Sequence, residues 1–166
     1  MKKGKNTLRA KPMNLEDFLN VGIQLEEAIC ACYEGLSRIS SDEDLAWRLS
    51  KMAREEKNHA GILASGKEYL KMIPDAFGGK LMTASEIYTG IALAENLLLK
   101  IRQASGPGKG LRELLELERR FEKVHLDTSI EIRDPSLKKL FQDLSQEDKT
   151  HAQSLEEIIL HQKEKR

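Results

Sequence analysis

Two cysteines, four prolines, one tryptophan and 5% aromatic residues are all that the 166-residue chain holds of these types, and its 27 basic and 27 acidic side chains cancel. Each scarcity excludes something. Cys30 and Cys32 build neither a disulfide framework nor a thiolate metal knuckle, and a C-x-C pair on one helix points its side chains about 200° apart, too divergent to bridge. A formal charge of zero and a pI near 6.9 give no net field to hold a nucleic-acid backbone or an anionic membrane surface. No apolar stretch reaches the 18 residues a membrane span needs, and the basic start (Lys2, Lys3, Lys5, Arg9, Lys11) leads into no apolar signal segment. The expected protein is cytoplasmic, with no nucleic-acid partner and no membrane.

What the chain has is charge in quantity, one third of its residues, interleaved with aliphatic side chains at helical spacing. The expected class is all-α. Its length suits a single domain with a real core, here residues 13–166 behind a basic N-terminal arm over 1–12. Periodicity predicts a first helix from about Asn14 to Ser40, with Asn14 as cap and Glu16 and Asp17 in the first turn. A polar corner at Ser41–Asp44 starts a second helix, which runs to about Met72. Pro74 to Gly79 and Ser105 to Gly110 interrupt the pattern on either side of a periodic segment at about 84–104, so 73–110 reads as a long crossover carrying its own helix. A third main helix is expected from about Leu111 to Ile132, and a fourth from Pro135 or Ser136 to His161. Short corner, long crossover, short corner is an antiparallel four-helix bundle made of two helical hairpins.

An internal repeat supports that division. Shifting the chain by 92 residues lays Glu26 on Glu118, Leu45 on Leu137, Glu55 on Glu147, Lys57 on Lys149, His59 on His151 and Leu63 on Leu155, with Glu56 falling on Asp148. Glu56-Lys-Asn-His59 and Asp148-Lys-Thr-His151 each set a carboxylate and an imidazole three apart, on one side of a helix turn. Spacing alone decides little, since three of the four histidines have an acid three positions earlier; Glu122 and His125 make the third pair. Burial decides more. Glu56 has Leu49 and Leu63 seven residues away on either side, Asp148 has Phe141 and Leu155, Glu26 has Leu19 and Tyr33, and Glu118 has Leu111 and His125. All four acids therefore lie on apolar stripes, whereas Glu27 does not and Glu55, near Arg48 and Lys51, belongs to the wet face. Four unpaired carboxylates in a core repel one another and cost heavily in desolvation, and a pair of divalent cations removes that cost. Carboxylate and imidazole without thiolate suit Fe or Mn, with Zn possible by affinity.

A Glu from each of two helices and a carboxylate-x-x-His motif from each of the other two is the ligand pattern of ferritin-like di-iron bundles. The segments QLEEAICACYEGLS, LAWRLSKMAREEKNHA, LELERRFEKVH and DPSLKKLFQDLSQEDKTHA resemble the rubrerythrin branch of that superfamily, with a spacing of 30 from Glu26 to Glu56 and again from Glu118 to Asp148. The resemblance implies a ferritin-like fold over 13–166, two bound iron ions, and a reaction with hydrogen peroxide or dioxygen in the setting of oxidative stress. It places Glu26 and His59 on one iron, Glu118 and His151 on the other, and Glu56 and Asp148 as bridges. Tyr33 stands where the family keeps a tyrosine beside the cluster and is the candidate for a catalytic role. The chain departs from the family at Asp148, where Glu is usual, and at Phe121, where rubrerythrins carry an extra Glu. It also lacks the four cysteines of a rubredoxin-like domain. The electron donor is then an external rubredoxin-type protein, and the expected assembly is a homodimer or a higher homo-oligomer.

Several residues have a second reading. Glu95, with Tyr88, Ile91, Ala92, Leu98 and Leu99 around it, competes with Glu118 as a ligand. His125 is a hydrogen-bonded core residue or, with Glu122, an added ligand. Cys30 is a small core residue or an oxidisable group near the metal, and Trp47 serves packing. Because Asp148 reaches about 1.5 Å less than Glu, its bridge is expected to be the weak one, with the iron at His151 the looser of the two. The alternatives to a peroxide- or dioxygen-reactive enzyme are a ferritin-like ferroxidase or iron-handling protein, and a helical interaction protein with a vestigial metal site.

Overall fold

The computed structural model describes residues 15–73 and 84–164. Five helices account for almost all of them: α1 (Leu15–Ile39), α2 (Glu43–Leu70), α3 (Ala84–Arg102), α4 (Gly108–Glu131) and α5 (Pro135–Glu164). No strand occurs among the described residues, and no helix there is long and apolar enough to cross a membrane. The basic arm, the expected cap at Asn14 and the break at Pro74 to Gly79 lie outside the described residues.

The two corners use the same device. Asp42 accepts a hydrogen bond from the Leu45 N–H at 3.1 Å, and Asp134, 92 residues on, accepts one from the Leu137 N–H at 2.9 Å. Each side chain satisfies a donor that the first helical turn leaves without a partner, and fixes where α2 and α5 begin.

Cross-helix contacts give the direction of every helix. Ser37 bonds to Ser50 and Ala46, Cys30 to Ala53, and Gly22 faces Leu63, so α1 and α2 are antiparallel. Arg119 pairs with Glu156 and the His125 ring lies tilted against that of Phe141, so α4 and α5 are antiparallel too. Tyr33 meets Glu118 while Glu26 meets His125, which sets α4 antiparallel to α1, and Arg48–Glu157 with Gly66–Leu137 does the same for α2 and α5. Packing is extensive within each hairpin and thin between α2 and α5 and between α1 and α4. Helix α3 lies outside this square. It runs parallel to α1 (Cys32 to Ala94, Gly35 to Ile101) and antiparallel to α4 (Lys100 to Glu113), burying Ile87, Ala94, Leu97 and Ile101.

Three differences from the sequence reading follow. Helix α4 begins at Gly108, inside the expected break. Gly110 there lets the chain pass Leu36, whose Cδ2 lies 2.6 Å from where a Cβ would stand, so this glycine serves close packing rather than a turn. Helix α5 continues three residues past His161. Trp47 is 61% exposed and is not a packing residue. Phe121 is buried with its ring in the space left by Gly90 of α3, where a Cβ would overlap it.

Candidate metal centre

Four carboxylates (Glu26, Glu56, Glu118, Asp148) and three imidazoles (His59, His125, His151) are buried in the middle of the bundle, one or two from each of α1, α2, α4 and α5. Their ligand atoms form two groups of three, Glu26–Glu56–His59 and Glu56–Glu118–His151, each with its atoms within 4.8 Å of one another. Glu56 belongs to both. These groups are able to hold metal ions. His59 Nδ1 lies 3.4 Å from Glu56 Oε2 and 3.8 Å from Glu26 Oε2, and His151 Nδ1 lies 2.6 Å from Glu56 Oε1 and 3.8 Å from Glu118 Oε1.

The hydrogen-bond balance of this interior does not close. Glu26 Oε1, both oxygens of Glu56, and the Nδ1 atoms of His59 and His151 are buried with no hydrogen-bond partner. The short approach of His151 Nδ1 to Glu56 is out of line for a bond. Buried polar atoms are otherwise paired in the great majority of cases, so five such atoms in two groups able to hold a metal ion mark this interior as exceptional.

Burial and mutual contact also set the proton affinities of these groups. Burial pushes Glu26 up to about 8, and burial together with the charges of Glu56 and Asp148 holds Glu118 well above the usual carboxylate range. Glu56 goes the other way: burial opposes its charge, but the imidazoles of His151 and His59 outweigh burial and hold it well below that range. For His59, burial is likewise outweighed by Glu26 and Glu56, which push the ring up to about 12. His151 and His125 are raised against burial by Glu56 and by Asp148 respectively.

The two hairpins supply matching contacts across the centre. The Tyr33 hydroxyl donates to Glu118 Oε1 at 2.5 Å, and burial with the Glu118 charge raises the phenol well above its ordinary value. At the matching position His125 turns Nε2 toward Glu26 Oε1 at 3.4 Å and bonds through Nδ1 to Asp148 Oδ2 at 2.8 Å. Asp148 thereby leaves the expected pattern. Its other oxygen stops 3.8 Å short of His59 Nδ1, where its counterpart Glu56 reaches His151 Nδ1 at 2.6 Å, and it joins neither group of three. The missing methylene and the pull of His125 account for the shortfall, which appears toward His59 rather than at His151.

Other candidates fall away from the centre. Glu95 is exposed, because α3 buries the stripe through Ala94 and Leu97 instead of the one through Ile91 and Leu98. Glu122 is half-buried and joins neither group, and its backbone carbonyl accepts from the Ser145 hydroxyl. His125 is a hydrogen-bonded core residue beside the groups. Cys30 donates to the Ala53 carbonyl at 3.2 Å, Cys32 to that of Ala94 at 3.3 Å, and both are free thiols.

Two acids at the centre escaped the sequence reading as functional residues. Glu55, assigned there to the wet face, is half-buried and accepts from His151 Nε2 at 3.2 Å, and Glu147 accepts from His59 Nε2 at 2.6 Å. Their alignment in the 92-residue repeat was the available signal.

Comparison of the chain with family models, with curated proteins and with solved structures returns no match.

Proposed function

We propose that the chain is a non-haem dinuclear metalloprotein, holding two iron ions or a manganese and an iron, that works as a rubrerythrin-like oxidoreductase on hydrogen peroxide or dioxygen. The observation that carries this reading is the shared Glu56, both of whose oxygens lack a hydrogen bond while each of its neighbouring histidines presents an unpartnered Nδ1. Two triads joined through one carboxylate fit two adjacent ions better than one. Imidazole and carboxylate donors without sulfur suit iron or manganese, with zinc as the competitor. The helix directions support a ferritin-like arrangement, with α3 as the crossover that returns the chain between two antiparallel hairpins.

In this reading Glu26 and His59 hold one ion, Glu118 and His151 the other, and Glu56 lies between them. Bound there, the ions supply Lewis acidity and electrons for reduction of an O–O bond. Binding displaces the protons that Glu26, Glu118 and the histidines carry in the metal-free chain. Tyr33 holds its hydroxyl proton at Glu118 Oε1, beside the reacting space. The buried rings of Tyr33 and Phe141 lie 6.0 Å from those of His151 and His125. The rubrerythrin resemblance adds to this reading an external electron donor of rubredoxin type and a homodimer or larger homo-oligomer.

Anaerobic Fe(II) titration of the full chain, followed by metal analysis after desalting and then by peroxide consumption with a chemical reductant, tests the proposal. Two retained ions per chain and peroxide turnover lost in Glu56→Ala are expected. Fewer than one retained ion, or a melting temperature that Fe(II) leaves unchanged, overturns it.

A further inference from the structure

We propose that the chain pairs with a second copy of itself through the outer face of α3 and α4, the two α4 helices lying antiparallel about a two-fold axis at residue 118. The inference gives the homo-oligomer of the preceding reading a surface and uses none of its metal chemistry.

The observation is a pattern of charge. Lys109, Glu113, Glu116, Arg120, Lys123 and Asp127 follow one another on α4 at spacings of four, three, four, three and four, which puts all six on one stripe. Glu118 points into the bundle, so the stripe is the back of the helix. Glu113 and Asp127 are half-buried and the other four are exposed. Along the stripe the charges run plus, minus, minus, plus, plus, minus. Laid antiparallel on a copy of itself, this order sets every charge against its opposite: Lys109 faces Asp127 of the second copy, Glu113 faces Lys123, and Glu116 faces Arg120. Each pair is equidistant from residue 118, and a two-fold axis there builds each of them twice. A partner of another sequence needs a matching pattern of its own, whereas a second copy has it by construction. Among the described residues Lys109, Arg120, Lys123 and Asp127 enter no ion pair, while Glu113 and Glu116 make surface contacts with Lys100 and Arg119.

An apolar groove lies beside the stripe. It measures about 460 Å³ and is lined by Leu93 and Leu97 of α3, by Leu117, and by the stripe's own Glu113, Glu116 and Arg120. Leu97 and Leu117 are buried, but Leu93 is left 43% exposed. Because Lys100 pairs with Glu113 and the Phe121 ring fills the space at Gly90, residue 118 stands level with residues 93–95 of α3. A two-fold axis at that level brings Leu93 of both copies together over the two grooves. The charged pairs then flank an apolar middle, the arrangement of core and polar rim that interfaces show.

Sedimentation velocity of the full-length chain tests the pairing. The wild type is expected to dimerise, with a dissociation constant that rises about tenfold between about 0.05 and about 0.5 M NaCl, because salt screens a solvent-accessible charged seam. Arg120→Glu with Lys123→Glu makes the stripe acidic from 113 to 127, and Glu113→Lys with Glu116→Lys makes it basic from 109 to 123. Each double variant should self-associate about 100-fold more weakly than the wild type, since like charges then face one another. An equimolar mixture of the two should form a one-to-one heterodimer, because every facing pair is again opposite in sign. Only antiparallel pairing of this stripe with itself predicts that rescue. The single variants Glu116→Lys and Arg120→Glu are expected to behave in the same way and report if a double variant fails to fold. A monomeric wild type, a wild-type oligomer that both double variants preserve, or a mixture that stays monomeric overturns the proposal. None of these outcomes touches the metal reading, and a chain that binds no metal leaves this test unaffected.

Discussion

The α1–α2 and α4–α5 hairpins repeat each other in caps, carboxylates and histidines, yet they serve the centre unequally. From the first hairpin Glu56 spans both groups, and the Tyr33 hydroxyl is spent on a single carboxylate oxygen. From the second, Asp148 is one methylene shorter and is engaged by His125, which stands in the tyrosine's place. The unequal pairs Glu56/Asp148 and Tyr33/His125 thus leave one carboxylate shared by both groups and one held aside. Symmetry in the sequence repeat fixes where the ligands stand; the side-chain lengths decide which of them meet.

The difference is broken most sharply by deleting each bridge candidate. Glu56→Ala is expected to abolish retention of both ions, whereas Asp148→Ala keeps two per chain at reduced affinity, as read by metal analysis after desalting. Equal losses would show that the two acids are equivalent.

A second effect is pH dependence of the metal-free chain. Glu26 is raised in the folded state from 4.5 to about 8, and His59 from 6.5 to about 12. Both therefore retain protons in the folded chain that the unfolded chain has already released. Their contribution is full below the ordinary values and is lost as pH rises, so the metal-free melting temperature should fall between pH 4.5 and about 8. Metal binding expels those protons, so the increase in melting temperature on adding Zn(II) should grow over the same interval. A metal-free protein that gains stability with rising pH there would contradict the protonated centre.

Tyr33→Phe removes the only hydroxyl that donates to Glu118 among the described residues and leaves a buried acceptor unpaired, a loss of about 1–3 kcal/mol in urea unfolding of the metal-free chain. The smallest effect expected is that of Asp148→Glu. Restoring the methylene lets the side chain close the 3.8 Å gap to His59, and stepwise Co(II) binding should become more nearly equal at the two positions. No change in the two affinities would show that His125, and not side-chain length, sets the asymmetry.

Much of this centre was legible before any fold was in hand. Glu26 rather than Glu27, Glu56 rather than Glu55, and Glu118 were each picked out by apolar neighbours one turn and two turns away, because a buried charge on an apolar stripe contradicts the local pattern and so stands out. Glu95 misled for the same reason. Helix α3 is apolar on more than one side, so periodicity alone left two stripes to choose from, and packing against α1 and α4 buried the other one. Glu55 and Glu147 were marked in the sequence only by their alignment in the repeat, because their helix register is that of a solvated face and the seam between α2 and α5 is what gives them buried partners. The start of α4 at Gly108 was hidden because a glycine needed for close approach looks, in sequence, like one needed for a turn.

The two groups of three that share Glu56 are proposed to bind two cations. Isothermal titration of the metal-free full chain with Zn(II) in two buffers of different ionisation enthalpy measures stoichiometry and proton release together. Two ions bound per chain with net release of protons to the buffer is the predicted result. Binding of no ion, or binding without proton release, would contradict it.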